Sequence, residues 1–316
     1  MQAEELQRTC NAIMDEVGKG IVGKRHVLER VMLAMLCNGH VLFEDYPGLA
    51  KTMMANCFSM AVGCSFKRVQ FTPDLLPADI TGSYIMNRRS GEFEMRKGPI
   101  FTNILLADEI NRAPPKSQSA LLEAMQERQV TLEGETQPLP NPFIVLATQN
   151  PIEYEGTYPL PEAQIDRFLI RTAVGYPSLE EEREILRRRR ERRQEKVELQ
   201  AVCSPEKLVE MQRHIEALHV KNDIEDYIVK IVDATRKHSQ VQVGSSPRGS
   251  LALMRLSTAR SALFGRDYVL PDDIKAVAVP ALAHRLILAA DPWIRGVRPE
   301  SVVESILKTV PVPKVD

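Results

Sequence analysis

The chain has 316 residues, 44% of them apolar, and a formal net charge of −1. That is enough length for two domains and enough apolar content for a packed core, which excludes disorder as a description of the whole chain. The near-zero charge gives no whole-chain electrostatic case for binding DNA, RNA or an anionic membrane.

The opening MQAEELQRTC is polar and acidic, so no signal peptide is expected. Residues 4–18 and 24–38 space their apolar side chains as helices do. Short apolar runs then alternate with helical stretches. HVLFE reads as a buried strand, KTMMANCFSMAVG as a helix, and FKRVQFT and NILLADE as strands. PPKSQSALLEAMQER follows as a helix, then FIVLATQN and FLIRTAVGY as strands. Strand, crossover helix, strand is the pattern of a parallel sheet covered on both faces. Two segments break the rhythm, GSYIMNRRSGEFEMRKG and RQVTLEGETQPLP. Each alternates around a glycine-containing turn and is expected to be an inserted hairpin, near residues 83–98 and 130–137.

The composition changes after Tyr176-Pro177. EEEREILRRRRERRQEKVE is nearly all charge, with opposite pairs four apart such as Glu184–Arg188, and reads as a solvated helix face; a nucleic-acid arm is the alternative. Four further helical stretches follow, and Asp272–Asp273 after Pro271 marks a helix start. AVAVPALAHRLILAA is interrupted by Pro280, His284 and Arg285, which suits a core helix and not a bilayer span. The expected organisation is an α/β domain over residues 1–177 and a smaller helical domain over residues 178–316. Cys10, Cys37, Cys57, Cys64 and Cys203 form no C-x-x-C pair and no metal-like spacing with histidine, as in reduced thiols of a cytoplasmic protein.

Three strand ends carry polar residues. FEDYPGLAKTMM, residues 43–54, approaches the phosphate-loop pattern G-x-x-x-x-G-K-[ST], with Asp45 and Ala50 in place of its glycines. Between a strand and a helix, its backbone N–H groups over Gly48–Thr52 would cradle phosphate at the helix N-terminus. Lys51 would reach the outer phosphates and Thr52 would offer its hydroxyl to Mg²⁺. Asp45 is expected to tolerate the left-handed backbone a glycine would take. Ala50 adds a methyl where backbone and phosphate come close. The plainer alternative is an ordinary strand–loop–helix with a surface lysine. In NILLADEIN an apolar run delivers Asp108 and Glu109 to a strand end, where ligands of such sheets bind. Asp108 suits Mg²⁺ and Glu109 suits polarising water; an acidic pair at a helix start is the alternative. In VLATQNP, Asn150 could hold the same water or the terminal phosphate, or be a polar turn before Pro151. A phosphate cradle, a metal carboxylate, a water-directing carboxylate and an amide converging on one edge are the parts phosphoryl transfer requires.

With these segments together the chain resembles the AAA+ ATPases, and within them the MoxR family, over nearly its whole length. The resemblance runs through IVGKRHVLERVMLAMLCNGHVLFEDYPGLAKT, QFTPDLLPADITGSY, GPIFTNILLADEINRAPPKSQSALLEAMQE and ATQNPIEYEGTYPLPEAQIDRFL. It implies a P-loop α/β core with a parallel sheet between helices, then an all-α lid. It implies an adenine site at Ile21, Val22 and Gly23, and a Walker A loop over Pro47, Gly48, Leu49, Ala50, Lys51, Thr52 and Met53. Asp108 and Glu109 would be Walker B and Asn150 sensor 1. Arg167 would be an arginine finger acting on a neighbouring subunit's nucleotide, and Arg248 would be sensor 2 on the lid. Without the resemblance, Arg167 could pair with Glu162 or Asp166, and Arg248 could cap a helix or bind a lid carboxylate.

The resemblance further implies a Mg²⁺-dependent ATPase, a ring (a hexamer), and chaperone-like remodelling of client proteins, often with a partner carrying a von Willebrand factor A domain. Two other classes stand beside it. A nucleic-acid motor is suggested by the basic tip NRRSG, but the net charge and the lack of an aromatic residue at that tip oppose it. A non-hydrolysing, nucleotide-gated scaffold is suggested only by Asp45 and Ala50.

Overall fold

The computed structural model describes residues 2–89, 91–151 and 156–313. Ser90 in the first hairpin's tip and residues 152–155 of the ATQNPIEYEG segment lie outside the described residues. In chain order, α1 (Ala3–Gly20) and α2 (Arg25–Leu36) lead to β1 (Val41–Glu44), α3 (Lys51–Ala61) and β2 (Phe66–Gln70). A short α4 (Pro77–Thr81) precedes a hairpin of β3 (Gly82–Met86) and β4 (Phe93–Lys97). Then come β5 (Ile104–Asp108), α5 (Pro115–Glu127) and a second hairpin of β6 (Gln129–Leu132) and β7 (Glu135–Pro138). The α/β part closes with β8 (Ile144–Gln149), α6 (Glu162–Ile165) and β9 (Ile170–Thr172).

The five expected core strands form one parallel sheet in the order β2-β5-β8-β1-β9. Parallel pairing brings all five carboxyl ends to one edge, with Gln70 opposite Asp108 and Glu44 opposite Gln149. Both faces are covered, which is why these strands read as continuous apolar runs. Alternate residues nevertheless divide between two cores. Val41, Phe43, Ile104 and Leu106 join α1, α2 and α3 on one face. Leu42, Leu105, Ala107 and Val145 pack with Leu121, Leu122 and Met125 of α5 on the other. A Leu106→Ala change at this fully buried position would cost about 2–5 kcal/mol.

The rest of the chain is α7 (Leu179–Arg192), α8 (Pro205–Glu216), α9 (Asn222–Lys237), β10 (Val241–Val243), α10 (Pro247–Leu263), α11 (Pro271–Leu282), β11 (Ile287–Leu288), α12 (Ala290–Ile294) and α13 (Pro299–Thr309). The small β10–β11 pair, α12 and α13 have no counterpart in the sequence reading. α10 packs on α1 and α2, so the late helices share the core of the first two. Two arginines fasten them to the α/β part. Arg285, in the turn after α11, has a buried side chain that donates to Asp166 Oδ1 (2.8 Å), Asp166 O (3.2 Å) and Phe168 O (2.8 Å). Burial lowers its pKa to about 10, against the pull of Asp166. Arg171 on β9 pairs with Glu44 of β1 and Glu300 of α13, each at 3.1 Å.

Both expected hairpins form, and Tyr84 Oη donates to Glu135 Oε2 at 2.7 Å to join them. The charged stretch is a helix without buried residues, opened by a reciprocal cap between Ser178 and Glu181. Its Glu184–Arg188 pair forms at 2.7 Å, but Arg188 also donates to Gly18 O, so α7 lies against the protein and is not wholly solvated. Among the described residues no helix is long and apolar enough to cross a membrane.

Candidate functional site

The loop between β1 and α3 is shaped by two left-handed residues, Gly48 (φ 81°) and Ala50 (φ 58°, ψ 20°). At Gly48 a side chain would be strained whatever the space around it. Ala50 takes the same region with a Cβ, at about 1–2 kcal/mol. Asp45 does not: the expectation that it adopts a left-handed glycine conformation is corrected here. It is instead buried, and its carboxylate accepts from the backbone of Tyr46, Val174 and Gly175. Lys51 opens α3, and its Nζ donates to the carbonyls of Asp45 (2.8 Å) and Tyr46 (2.7 Å). Partial burial lowers the Lys51 pKa, while Asp45, Asp108 and Glu109 act in the opposite direction.

Facing the loop, β5 ends at Asp108, and Glu109 turns the chain with φ 56° and ψ 51°. Left-handed non-glycine backbone at two residues lining one cavity, Ala50 and Glu109, is the kind of feature that collects at functional sites. Thr148 on β8 binds both acidic residues at once. Its hydroxyl donates to Asp108 Oδ1 (2.6 Å) and accepts from Glu109 N (2.8 Å). Arg68 on β2 donates through Nε (3.0 Å) and Nη2 (2.7 Å) to Asp108 Oδ2. Glu109 Oε2 accepts from Gln70 Nε2 (2.7 Å) and Arg112 Nη1 (3.0 Å). These four partners were not singled out in the sequence. Arg68 and Gln70 carried one usable signal: polar residues two apart at the end of FKRVQFT share a face.

Asp108, Glu109 and Asn150 meet Pro47, Gly48, Leu49, Ala50, Lys51, Thr52 and Met53 around one cavity of about 440 Å³. Gln149 lines it too, and its side-chain oxygen is buried without a partner among the described residues. A second, mainly apolar cavity of about 460 Å³ adjoins across Gly48, Leu49, Ala50 and Met53 and is closed by Ile21, Val22, Val174, Pro177 and Ile185. The two suit the unequal ends of a nucleotide: donors and a lysine for phosphates, an apolar slot for a base. Gly23 is not part of the slot. Its φ is 64°, and a Cβ there would meet Glu181 Oε1 at 1.8 Å, so it serves the contact with α7. Arg188, Arg189 and Arg192 of α7 do line the slot, a role hidden when that helix is taken as solvated.

For Mg²⁺ the chain offers Thr52 and Asp108 beside the phosphate loop, and no cluster of three or more His, Cys, Asp or Glu exists among the described residues that could hold a metal. Few protein ligands fit an ion that keeps waters and shares phosphate oxygens.

The two remaining arginines lie elsewhere. Arg167 and Arg248 line a different cavity, of about 230 Å³, with Asp166, Arg255 and Arg285. Asp166 is taken by Arg285, with Arg248 Nε at 3.9 Å and Ser246 Oγ at 3.4 Å. The half-buried Arg167 forms no ion pair among the described residues, with Glu162 or with Asp166. Beneath this face His284 is buried, and desolvation and Arg285 hold it neutral, well below its usual pKa.

Residues 40–170 match the profile of the "ATPase family associated with various cellular activities (AAA)", and residues 233–306 match an "AAA lid domain". The chain is 48% identical to the uncharacterized protein YeaC of Bacillus subtilis, over 98% of this chain and 97% of that one. It is 46% identical to a protein named Chaperone MoxR1 of Mycobacterium tuberculosis, over 99% of this chain and 85% of the relative. A crystal structure from Cytophaga hutchinsonii, provisionally described as an ATPase, superposes with a TM-score of 0.92 at 42% identity, covering 99% of this chain and 97% of that one.

Proposed function

Because the chain belongs to the MoxR family of chaperone-like AAA+ ATPases, we propose that it binds ATP across the two adjoining cavities and hydrolyses it at the carboxyl edge of the sheet. The convergence of Lys51, Thr52, Asp108, Glu109 and Asn150 on one cavity carries this reading. Loop N–H groups and Lys51 bind the phosphates, and the slot beside Ile21 and Val22 takes the base. Mg²⁺, held by Thr52 and Asp108, would neutralise charge on the transferring phosphoryl group. Glu109 Oε1, the oxygen that neither Gln70 nor Arg112 holds, takes the proton of the attacking water. Thr148 fixes the backbone of Glu109, and Asn150 orients the water.

Arg167 and Arg248 stand apart from their own chain's phosphate cavity, which supports service to a neighbouring copy and therefore a ring, a hexamer by family resemblance. The paired hairpins stand outside the sheet, which supports a role in passing ring motion to a client protein; by family resemblance the partner would be a von Willebrand factor A domain protein. Asp45 does not oppose hydrolysis, because its carboxylate is engaged by Val174 and Gly175.

The test is phosphate release by purified protein with and without Mg²⁺, beside a Glu109→Gln variant. The variant should bind ATP normally and lose turnover by about 10²-fold or more. Equal turnover in the two proteins would strip Glu109 of its role, and wild type that binds ATP without ever releasing phosphate would make the protein a nucleotide-gated scaffold.

A further inference from the structure

Asp45 is the loop residue that the mechanism leaves unused. It stands at the first glycine of the standard phosphate loop and is 6% exposed. Its Oδ1 accepts from Tyr46 N at 2.9 Å, and its Oδ2 accepts from Val174 N and Gly175 N, both at 2.7 Å. A second contact runs beside it: the rings of Tyr46 and Tyr176 stack with centroids 5.8 Å apart and planes at 29°. The phosphate loop is thus fastened at two points to the segment that leads from β9 to α7.

That segment is a wall of the base slot. Val174, Gly175 and Pro177 line the slot, and α7 continues the same wall through Arg188, Arg189 and Arg192. The loop lines the same slot through Gly48, Leu49 and Ala50 and also supplies the phosphate cradle. A buried carboxylate beside a cavity suited to a polyanion is electrostatically unfavourable, and a glycine would avoid the repulsion. What the carboxylate adds is position. It ties the cradle for one end of the ligand to the slot for the other, and Lys51 is referenced to the same turn through the carbonyls of Asp45 and Tyr46.

We propose that Asp45 is a positioning residue that sets the spacing between phosphate cradle and base slot, so that a nucleoside triphosphate is gripped at both ends in one register. The inference rests on the nucleotide reading above. A ligand with both ends feels the spacing; inorganic tripolyphosphate, which has no base, does not.

Calorimetric titration of full-length wild type, Asp45→Asn and Tyr176→Ala with ATP and with tripolyphosphate, all with Mg²⁺, separates the cases. Asparagine keeps the size but turns one acceptor into a donor facing an N–H group. Asp45→Asn should bind ATP about tenfold more weakly or worse, the low end for losing charge-assisted hydrogen bonds. Its tripolyphosphate affinity should not fall, and should rise if it changes, because the repulsion is gone; this also shows that the loop is folded. Tyr176 is 69% exposed, so its truncation leaves the core intact and should give a smaller loss, again confined to ATP. Equal weakening of both ligands in Asp45→Asn would mean that Asp45 merely holds the loop together. Unchanged ATP affinity would overturn the inference and leave the nucleotide reading standing. Wild type that binds neither ligand would remove both.

Discussion

The carboxyl edge of the sheet and the surface around Asp166 both carry charged groups of the types phosphoryl transfer uses, but they differ in how those groups are partnered. At the sheet edge the chain completes its own constellation. Lys51 is held by two carbonyls, Asp108 by Arg68 and Thr148, and Glu109 by Gln70, Arg112 and Thr148. At the other surface Asp166 is consumed by Arg285, with Arg248 nearby, and Arg167 is left without an ion pair among the described residues. Arg167 lines a cavity separate from the one around the phosphate loop, and on the proposed function its guanidinium would serve a neighbouring copy. The sheet edge is therefore preorganised by its own chain's partners, and in the ring proposed above the arginine face would be its complement.

Substitutions on each side break this comparison in different ways. The largest effect is expected from Arg167→Ala. If the residue acts in trans as an arginine finger, turnover falls by about 10³-fold or more while ATP affinity changes little. Phosphate-release kinetics with a parallel binding titration check this, and a matching loss of affinity would put Arg167 in the binding of its own chain's nucleotide. Thr148→Val is smaller. The isosteric change removes the one hydroxyl shared by Asp108 and Glu109 at a position only 2% exposed. Turnover should drop about tenfold and stability by about 1–3 kcal/mol, read by kinetics and thermal melting. Unchanged turnover would show that Glu109 is aimed without that bond.

Ala50→Gly should have the smallest effect and the opposite sign. It relieves a left-handed alanine, so stability should rise by up to about 1 kcal/mol. ATP should bind somewhat more tightly as the methyl leaves the loop. A lower melting temperature would mean that the Ala50 methyl contributes packing that outweighs its strain.

The strands and the residues at their ends were legible because a parallel sheet buried on both faces writes itself as apolar runs stopped by polar residues. HVLFE, NILLADE and FIVLATQN stand where they were expected, and they bring Lys51, Asp108, Glu109 and Asn150 to one edge. What stayed hidden depends on pairing between distant segments. Gln70 reaches Glu109 because β2 lies beside β5, and nothing local in FKRVQFT states that neighbour. Asp45 finds its partners 129 and 130 residues away, so it was explained by backbone tolerance when its carboxylate was the point. The family resemblance groups Gly23 with Ile21 and Val22 at the adenine site, but at φ 64° a Cβ there would meet Glu181. Charge on α7 masked the side that lines the second, mainly apolar cavity.

The shared site is tested most directly by mixing two inactive variants. Lys51→Ala spoils the cradle and keeps Arg167; Arg167→Ala keeps the cradle and lacks the arginine. With the variants co-assembled in equal amounts, random pairing leaves about a quarter of the interfaces with both functional halves, so ATPase activity should return to roughly that fraction of wild type. Co-assembled rings that stay as inactive as either variant alone would contradict the claim that one chain's arginine completes another chain's site.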